Sequence, residues 1–283
     1  MEIKKVGIVG AGTMGHGIAQ VCAMAGCEVV LCDLEPAMVE AGLGKIQANL
    51  KKGVERGKVD PEHAEATLVR LSGCTEHAEV ADEADLLIEA IPEKLDLKKQ
   101  LFQSLEQHAP DRAIYGTNTS SLSVAAIAES VKRPEQVIGM HFFNPVHIMK
   151  LLELVVHDGT DDGVTKRIQQ FGERIGKDVI TVRDFPGFAS SRLGVCLGME
   201  AIRMVEQGVA SPEDIDKAME VGYRHPMGPL KLTDLVGLDV RLHIGEYLAR
   251  TLGNTAFEPP QLMRDMVEAG KLGKKTGEGF YSW

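Results

Sequence analysis

Short, continuous runs of apolar residues alternate with longer amphipathic stretches along the first part of the chain. The runs predict strands at Val6–Val9, Val29–Cys32, Leu86–Ile91, Ala113–Tyr115, Val137–Met140, Leu151–Val156 and Val179–Val182. The stretches between them predict helices that include Met14–Ala25, Pro36–Val54, Leu95–His108 and Val124–Ala128. The runs are too continuous for one-sided strands, so they indicate a sheet covered on both faces. This alternation predicts an α/β fold with a doubly wound, Rossmann-type parallel sheet.

The segment between the second and third of these runs is long for a single crossover. It extends from about Glu35 to Arg70 and is predicted to hold two helices. The second helix would begin at Asp60-Pro61-Glu62, where the aspartate caps the helix and the proline takes its first position.

The pattern changes to a helical one after Val182. Pro186-Gly187 opens a long helical segment, Phe188–Gln207, and Ser211-Pro212-Glu213-Asp214 caps a further helix. From there to Phe280 the sequence indicates helices and loops with almost no strand. We therefore predict a Rossmann domain at residues 1–184, followed by an all-helical C-terminal domain at residues 185–283.

Composition and charge exclude several classes of protein. The chain has 283 residues and a formal net charge of −10, from 31 basic and 41 acidic residues. This charge argues against general nucleic-acid binding, which needs a basic face. No apolar run approaches the ~18 residues that a membrane span requires, so no membrane association is predicted.

The N-terminus and the cysteines favour a cytoplasmic protein. The first predicted strand begins at Val6, which leaves no room for a signal peptide. The five cysteines form no C-x-x-C pair, so neither a zinc site nor a redox motif is expected. We expect them to be reduced, structural thiols in a reducing compartment.

A glycine-rich loop follows the first strand. Gly10-Ala11-Gly12-Thr13-Met14-Gly15 reads G-x-G-x-x-G and lies between a predicted strand and a predicted helix, which is the context of a dinucleotide site. The helix N-terminus would supply amide donors for a pyrophosphate. Asp33 ends the next strand, about 20 residues further on, where an acid binds ribose hydroxyls and repels a 2′-phosphate. The cofactor predicted from these residues is NAD rather than NADP.

The long segment from about Glu35 to Arg70, called the insert below, carries a cluster of basic residues and, among them, a single acid, Glu55. They are Lys45, Lys51, Lys52, Arg56 and Lys58. In an acidic chain such a cluster could hold the phosphates of a large anionic substrate, such as a CoA ester. The alternative is a solvated helix face, which is the commoner situation for exposed charges.

Two residues near neighbouring strands suggest a general base. His141 comes at the end of one apolar run, in His141-Phe142-Phe143-Asn144-Pro145, and Glu153 lies within the next run. A charge inside an apolar strand is costly unless it has a partner, and a histidine held by a carboxylate is a common general base. The segment 117–121 and His141 should both face the carboxyl edge of the sheet, where ligands bind. Downstream of a dinucleotide loop, this pairing suggests alcohol oxidation.

The chain resembles the L-3-hydroxyacyl-CoA dehydrogenase family over essentially its whole length. The resemblance is carried by the glycine-rich loop, Thr117-Asn118-Thr119-Ser120-Ser121, His141-Phe142-Phe143-Asn144-Pro145, Pro186-Gly187-Phe188, His225-Pro226-Met227-Gly228-Pro229 and the tail Gly273-Lys274-Lys275-Thr276-Gly277-Glu278-Gly279-Phe280-Tyr281. The His-Phe-Phe-Asn-Pro run with a glutamate twelve residues after its histidine is the specific signal.

The resemblance implies a role for individual residues. His141 would be the general base, Glu153 its orienting partner, and Ser120 a contact of both substrate and cofactor. The NAD contacts would include Glu93, Lys98, Asn118, Asn144 and Lys275, and Asn49 and Arg56 lie near positions that the family uses for CoA. Lys52, from the basic cluster, is a further candidate for binding the substrate. One position departs from the family pattern, because Ser191 stands where the family usually has a substrate-positioning asparagine.

The reaction expected from this resemblance is the reversible oxidation of (S)-3-hydroxyacyl-CoA by NAD⁺. We expect a short-chain substrate such as 3-hydroxybutyryl-CoA, a role in fatty acid or butanoate metabolism, and a homodimer through the small helical domain. One alternative is an NAD-dependent dehydrogenase of a small free 3-hydroxy acid, of the gulonate type. Another is a non-catalytic NAD-binding protein on the same scaffold.

Overall fold

The computed structural model describes residues 2–283. They form two compact units, of which the first ends at Phe185 and the second is Pro186–Trp283. Each unit has its own apolar core. Within residues 2–283, no helix is both long and apolar enough to cross a bilayer.

The first unit is built on one eight-stranded sheet. Its strands are β1 (Lys5–Val9), β2 (Glu28–Cys32), β3 (Leu71–Cys74), β4 (Leu86–Glu89), β5 (Ile114–Thr117), β6 (Val137–Phe142), β7 (Leu151–Val156) and β8 (Asp178–Arg183). Their order in the sheet is β3-β2-β1-β4-β5-β6-β7-β8. The predicted fold class is therefore confirmed.

Two neighbouring strands, β7 and β8, run against the other six, so the sheet is mostly parallel rather than parallel throughout. β7 pairs antiparallel with β6, whereas all other neighbouring strands are parallel. Only residues 143–150 separate β6 from β7. A segment of this length is too short for a parallel crossover, which needs a dozen residues or more, so the chain turns back as a hairpin.

Among the described residues, seven α-helices belong to the first unit and five to the second. The first seven are α1 (Gly15–Met24), α2 (Pro36–Glu55), α3 (Pro61–Val69), α4 (His77–Ala81), α5 (Leu95–Glu106), α6 (Val124–Ala128) and α7 (Asp162–Arg174). The other five are α8 (Ser190–Glu206), α9 (Pro212–Lys217), α10 (Pro229–Val236), α11 (Leu238–Leu252) and α12 (Gln261–Glu268).

The predicted helix starts at Asp60 and Ser211 are confirmed. Asp60 accepts hydrogen bonds from the backbone N–H groups of Glu62 and His63 at 2.9 and 3.1 Å, so the insert holds two helices. Ser211 accepts from the N–H of Asp214 at 3.2 Å. The sequence did not predict β3, α4 or α7.

Burial explains why the central strands are so apolar. All residues of β4, β5 and β6 are buried, and helices cover the sheet. The edge strand β8 is half-buried or exposed at every position. In the second unit, α8, α10, α11 and α12 enclose the core.

A buried carboxylate fastens the C-terminal tail in the second unit. Asp234 is fully buried and accepts from the backbone N–H groups of Phe280 and Tyr281, each at 2.9 Å. It also accepts from Nε1 of Trp283 at 3.0 Å. The tail that carries Lys275 is thereby tied to α10.

Candidate active site

The glycine-rich loop forms a tight turn between β1 and α1. The N–H of Gly10 donates to the carbonyl of Cys32 at 2.8 Å, and the φ angle of Gly10 is +101°, which favours glycine. A Cβ on Gly15 would lie 1.6 Å from the carbonyl oxygen of Gly10. A Cβ on Gly12 would meet nothing within 4 Å. The first and third glycines are thus required by the fold, whereas the space beside the second is open to a ligand.

Asp33 lies directly after β2 and faces this loop. Its Oδ2 accepts from the N–H of Ala11 at 2.7 Å. The carboxylate therefore stands beside the loop at the carboxyl edge of the sheet, where an adenosine ribose binds in this kind of fold. Open space beside Gly12 and an acid at this point fit NAD. Thr13 is exposed and Met14 is half-buried at the start of α1.

Glu93 connects this edge of the sheet to the loop after β5. Its Oε1 accepts from Oγ1 of Thr119 at 2.5 Å and from the N–H of Ser120 at 2.9 Å, and its Oε2 lies 3.2 Å from Nζ of Lys98. Burial by itself would raise the pKa of Glu93. The positive charge of Lys98 and these hydrogen bonds outweigh it, so the pKa of Glu93 lies below its usual range.

A second carboxylate, Glu89, was missed by the sequence analysis. Lys98 is 1% exposed, and its Nζ donates to both oxygens of the fully buried Glu89 at 2.7 and 2.8 Å. Burial raises the pKa of Glu89, against the opposing effects of Lys98 and the hydroxyl of Thr117. Lys98 thus holds Glu89 and Glu93 together beneath the loop after β4.

Asn118 and Ser120 lie together after β5, as their sequence position predicts. Oδ1 of Asn118 accepts from the N–H of Phe142 at 2.9 Å, which ties the end of β5 to the end of β6. Ser120 is half-buried. Asn144, on the hairpin between β6 and β7, is exposed.

His141 and Glu153 are in contact across the antiparallel pair of strands. They are direct partners in the β6–β7 register, and Nδ1 of His141 lies 2.9 Å from Oε2 of Glu153. His141 is 5% exposed and Glu153 is fully buried. The expectation that His141 follows its strand is wrong, because it is the fifth residue of β6. A carboxylate that accepts from Nδ1 leaves Nε2 as the proton acceptor, which is the arrangement a general base needs.

The basic insert lies on α2 and just after it. Lys52 and Arg56 are exposed, at the end of this helix. Asn49 donates from Nδ2 to Oε1 of Gln20 at 3.2 Å and so connects α2 to α1.

Two predicted site residues belong to the second unit. Ser191 is half-buried in the first turn of α8. Nζ of Lys275 lies 2.6 Å from both carboxylate oxygens of Asp239. Burial alone would raise the pKa of Asp239, but the hydrogen bond and charge of Lys275, together with backbone hydrogen bonds, outweigh burial and lower that pKa. Among residues 2–283, no three His, Cys, Asp or Glu side chains are grouped so that they could hold a metal ion.

Comparison with known proteins identifies the family. Residues 5–185 match the model of the 3-hydroxyacyl-CoA dehydrogenase NAD-binding domain, and residues 187–283 match the model of the C-terminal domain of that family. The chain belongs to the 3-hydroxyacyl-CoA dehydrogenase family. It is therefore an NAD-dependent oxidoreductase that acts on 3-hydroxyacyl-CoA and takes part in fatty acid metabolism.

Relatives in this family match over nearly their whole length. A 3-hydroxybutyryl-CoA dehydrogenase of Mycobacterium tuberculosis is 41% identical over 283 residues, which cover 99% of each chain. The mitochondrial hydroxyacyl-coenzyme A dehydrogenase of Rattus norvegicus is 42% identical and covers 99% of this chain and 91% of its own. The crystal structure of (S)-3-hydroxybutyryl-CoA dehydrogenase from Ralstonia eutropha superimposes with a TM-score of 0.95 at 39% identity, and covers 100% and 99% of the two chains.

Proposed function

We propose that the protein oxidises short-chain (S)-3-hydroxyacyl-CoA, such as 3-hydroxybutyryl-CoA, with His141 as general base and Glu153 as its orienting partner. The observation that carries this proposal is the buried contact of 2.9 Å between Nδ1 and Oε2. The names of the relatives from Mycobacterium tuberculosis and Ralstonia eutropha support the short-chain substrate.

Nε2 of His141 takes the proton of the substrate's 3-hydroxyl group as the C3–H bond breaks. Bound NAD⁺ supplies the acceptor for the hydride. Glu153 keeps the proton of the neutral imidazole on Nδ1 and stabilises the imidazolium that forms. Positioned proton transfer of this kind contributes about 10²–10⁴ in rate. Ser120 donates a hydrogen bond to the substrate oxygen, and Ser191 replaces the family's asparagine with a shorter side chain.

For the cofactor, we propose contacts from the glycine-rich loop (Gly10, Ala11, Gly12, Thr13, Met14 and Gly15) and from Asp33, Glu93, Lys98, Ser120, Asn118, Asn144 and Lys275. Glu93 and Lys98 act as a pair, in which the buried ammonium group fixes the carboxylate that reaches the surface. The open space beside Gly12 supports the placement of the pyrophosphate there.

The proposed pair of His141 and Glu153 is tested by a variant of the histidine. His141→Gln should abolish turnover in the reduction of acetoacetyl-CoA, followed by NADH absorbance at 340 nm. NADH affinity, measured by fluorescence titration, should stay within a few-fold of the parent. Near-normal turnover in the variant would refute the assignment.

We propose that the basic insert, through Asn49, Lys52 and Arg56, binds the CoA moiety. Lys52 and Arg56 are exposed and lie at the end of one helix, which supports this role. The double variant Lys52→Glu with Arg56→Glu should raise KM for acetoacetyl-CoA and leave KM for NADH unchanged. A matched control is Lys166→Glu on α7. An unchanged KM for acetoacetyl-CoA would favour a small free 3-hydroxy acid as the substrate.

We also propose a homodimer through the C-terminal domain, at residues 185–283. Several apolar side chains of this unit are exposed, including Leu193 at 71% and Tyr223 at 75%, as expected of an interaction surface. Light scattering at micromolar concentration should give the mass of two chains, and a monomer would contradict the proposal.

A reducing, cytoplasmic location is consistent with the cysteines. All five are free thiols, and four of them are buried. Proteins of oxidising compartments more often pair such residues. The rat relative is mitochondrial by name, so cell fractionation is the deciding experiment.

A further inference from the structure

His16 makes a contact with the glycine-rich loop that the proposed mechanism does not use. It lies in the first turn of α1, and its Nδ1 is 2.6 Å from the carbonyl oxygen of Gly12. The backbone N–H of His16 donates to the same oxygen at 3.3 Å. Because a carbonyl oxygen only accepts, Nδ1 carries a proton and donates it. The ring is therefore held against the loop, and Nε2 is the atom that can take up a second proton.

The hairpin between β6 and β7 packs against the same turn of α1. A Cβ on Gly17 would lie 2.9 Å from Cβ of Val146. Lys177 holds this hairpin, since its Nζ donates to the carbonyl oxygens of Val146 and Met149, the latter at 2.8 Å. The half-buried imidazole of His16 is thus flanked by an ordered segment.

The charged and titratable groups near this turn include His147, which interacts with both His16 and Lys177, and Asp33, which contacts the glycine-rich loop. Burial lowers the pKa of His147, and the positive charges of His16 and Lys177 lower it further. Asp33 is bound to the N–H of Ala11 on the loop.

We propose that His16 is a cofactor-binding residue that positions Gly12 and, when doubly protonated, strengthens the binding of the dinucleotide pyrophosphate. This inference rests on the proposed placement of the pyrophosphate beside Gly12. Histidine gains its charge between about pH 8 and pH 5, whereas a pyrophosphate diester keeps its negative charges over that range. The cation would add to the amide donors and dipole of the helix N-terminus, which favour the same anion.

The sign of the effect follows from the charges. Binding should tighten as pH falls and the imidazole becomes positive, and a charge-assisted contact at a partly exposed site should give about a five-fold change. The His16→Asn variant keeps a neutral donor near the loop and should bind the pyrophosphate weakly at both low and high pH. The His16→Arg variant keeps a positive charge throughout and should bind the pyrophosphate tightly at both low and high pH.

The assay is isothermal titration calorimetry with ADP-ribose at pH 6.0 and pH 8.5. ADP-ribose contains the pyrophosphate but no nicotinamide, so titration of His141 does not enter the result. Adenosine, which lacks the pyrophosphate, should show no pH dependence. His63→Asn, an exposed histidine in the first turn of α3, is the matched control and should behave like the parent.

The outcomes separate this inference from the one on which it rests. If ADP-ribose fails to bind the parent at either pH, the pyrophosphate placement is wrong. If it binds the parent equally at both values, or if His16→Asn keeps the pH dependence, the role of His16 is wrong. His147→Asn should keep the dependence, and its loss in that variant would assign the effect to His147 and overturn the proposal.

Discussion

Glu153→Gln isolates the contribution of one negative charge to the proposed base. The amide has nearly the shape of the carboxylate and still offers an oxygen to Nδ1 of His141. The substitution therefore removes the charge that faces the ring at 2.9 Å and leaves the packing of a fully buried position intact. We expect the main effect on the step in which the imidazolium forms.

The size of the effect can be worked from the geometry. Two unit charges about 4 Å apart, at an effective permittivity of about 20, interact by about 4 kcal/mol. If the transition state carries most of the imidazolium charge, its loss slows the reaction by about 10³-fold. The retained hydrogen bond reduces the loss, so we expect a decrease in kcat of about 10²- to 10³-fold.

The assay is reduction of acetoacetyl-CoA by NADH, followed at 340 nm between pH 6 and pH 9. KM for NADH should stay within a few-fold, because Glu153 lies on β7, away from the glycine-rich loop. Glu129→Gln, an exposed glutamate, is the matched control, and thermal melting verifies that both variants are folded. A kcat within about three-fold of the parent, with an unchanged pH profile, would show that the charge of Glu153 does not support the base.

Four further substitutions test the cofactor loop and the tail. Gly12→Ala should keep the melting temperature and weaken NADH binding at least about ten-fold, because the added Cβ occupies the space for the pyrophosphate. Gly15→Ala should fail to fold, because its Cβ overlaps the loop backbone. Asp33→Asn should weaken NADH binding about ten-fold. It should also reduce the preference for NADH over NADPH, measured as the ratio of the kcat/KM values for the two cofactors. Asp234→Asn should destabilise the protein by about 1–3 kcal/mol, because an amide cannot accept all three hydrogen bonds, and the emission of the single tryptophan, Trp283, should report the release of the tail. Equal NADH affinity in Gly12→Ala, an unchanged cofactor ratio in Asp33→Asn, or an unchanged melting temperature in Asp234→Asn would contradict the respective argument.

Most of the sheet could be predicted because its central strands are buried on both faces. Continuous apolar runs predicted the positions of β1, β2 and β4 to β7. The strand β3, with the sequence Leu-Ser-Gly-Cys, was missed because it is an edge strand with two exposed central residues. The helix α7 is polar on average, but its buried residues Val164, Ile168 and Phe171 do recur at helical spacing, so that signal was present in the sequence.

In the candidate site, the sequence indicates buried charges but does not reveal every partner of those charges. A charge within an apolar run marked Glu153, and the same signal was present at Glu89 in β4. Glu89, however, is neutralised by Lys98, which comes from the following helix, and no strand spacing reveals that partner. A buried acid in a strand therefore predicts that a partner exists, but the topology decides which residue it is.

The direction of β7 is what brings His141 and Glu153 together. Side chains alternate between the two faces of a sheet, so strand partners contact each other only if the register places them opposite one another. The hairpin at residues 143–150 sets that register and pairs the two residues directly. A shift of one residue would move Glu153 to the other face and leave its charge buried without the histidine. The one antiparallel pairing in this sheet, that of β6 with β7, is therefore the structural condition for the proposed base, and the length of its hairpin is as important to the site as the two side chains themselves.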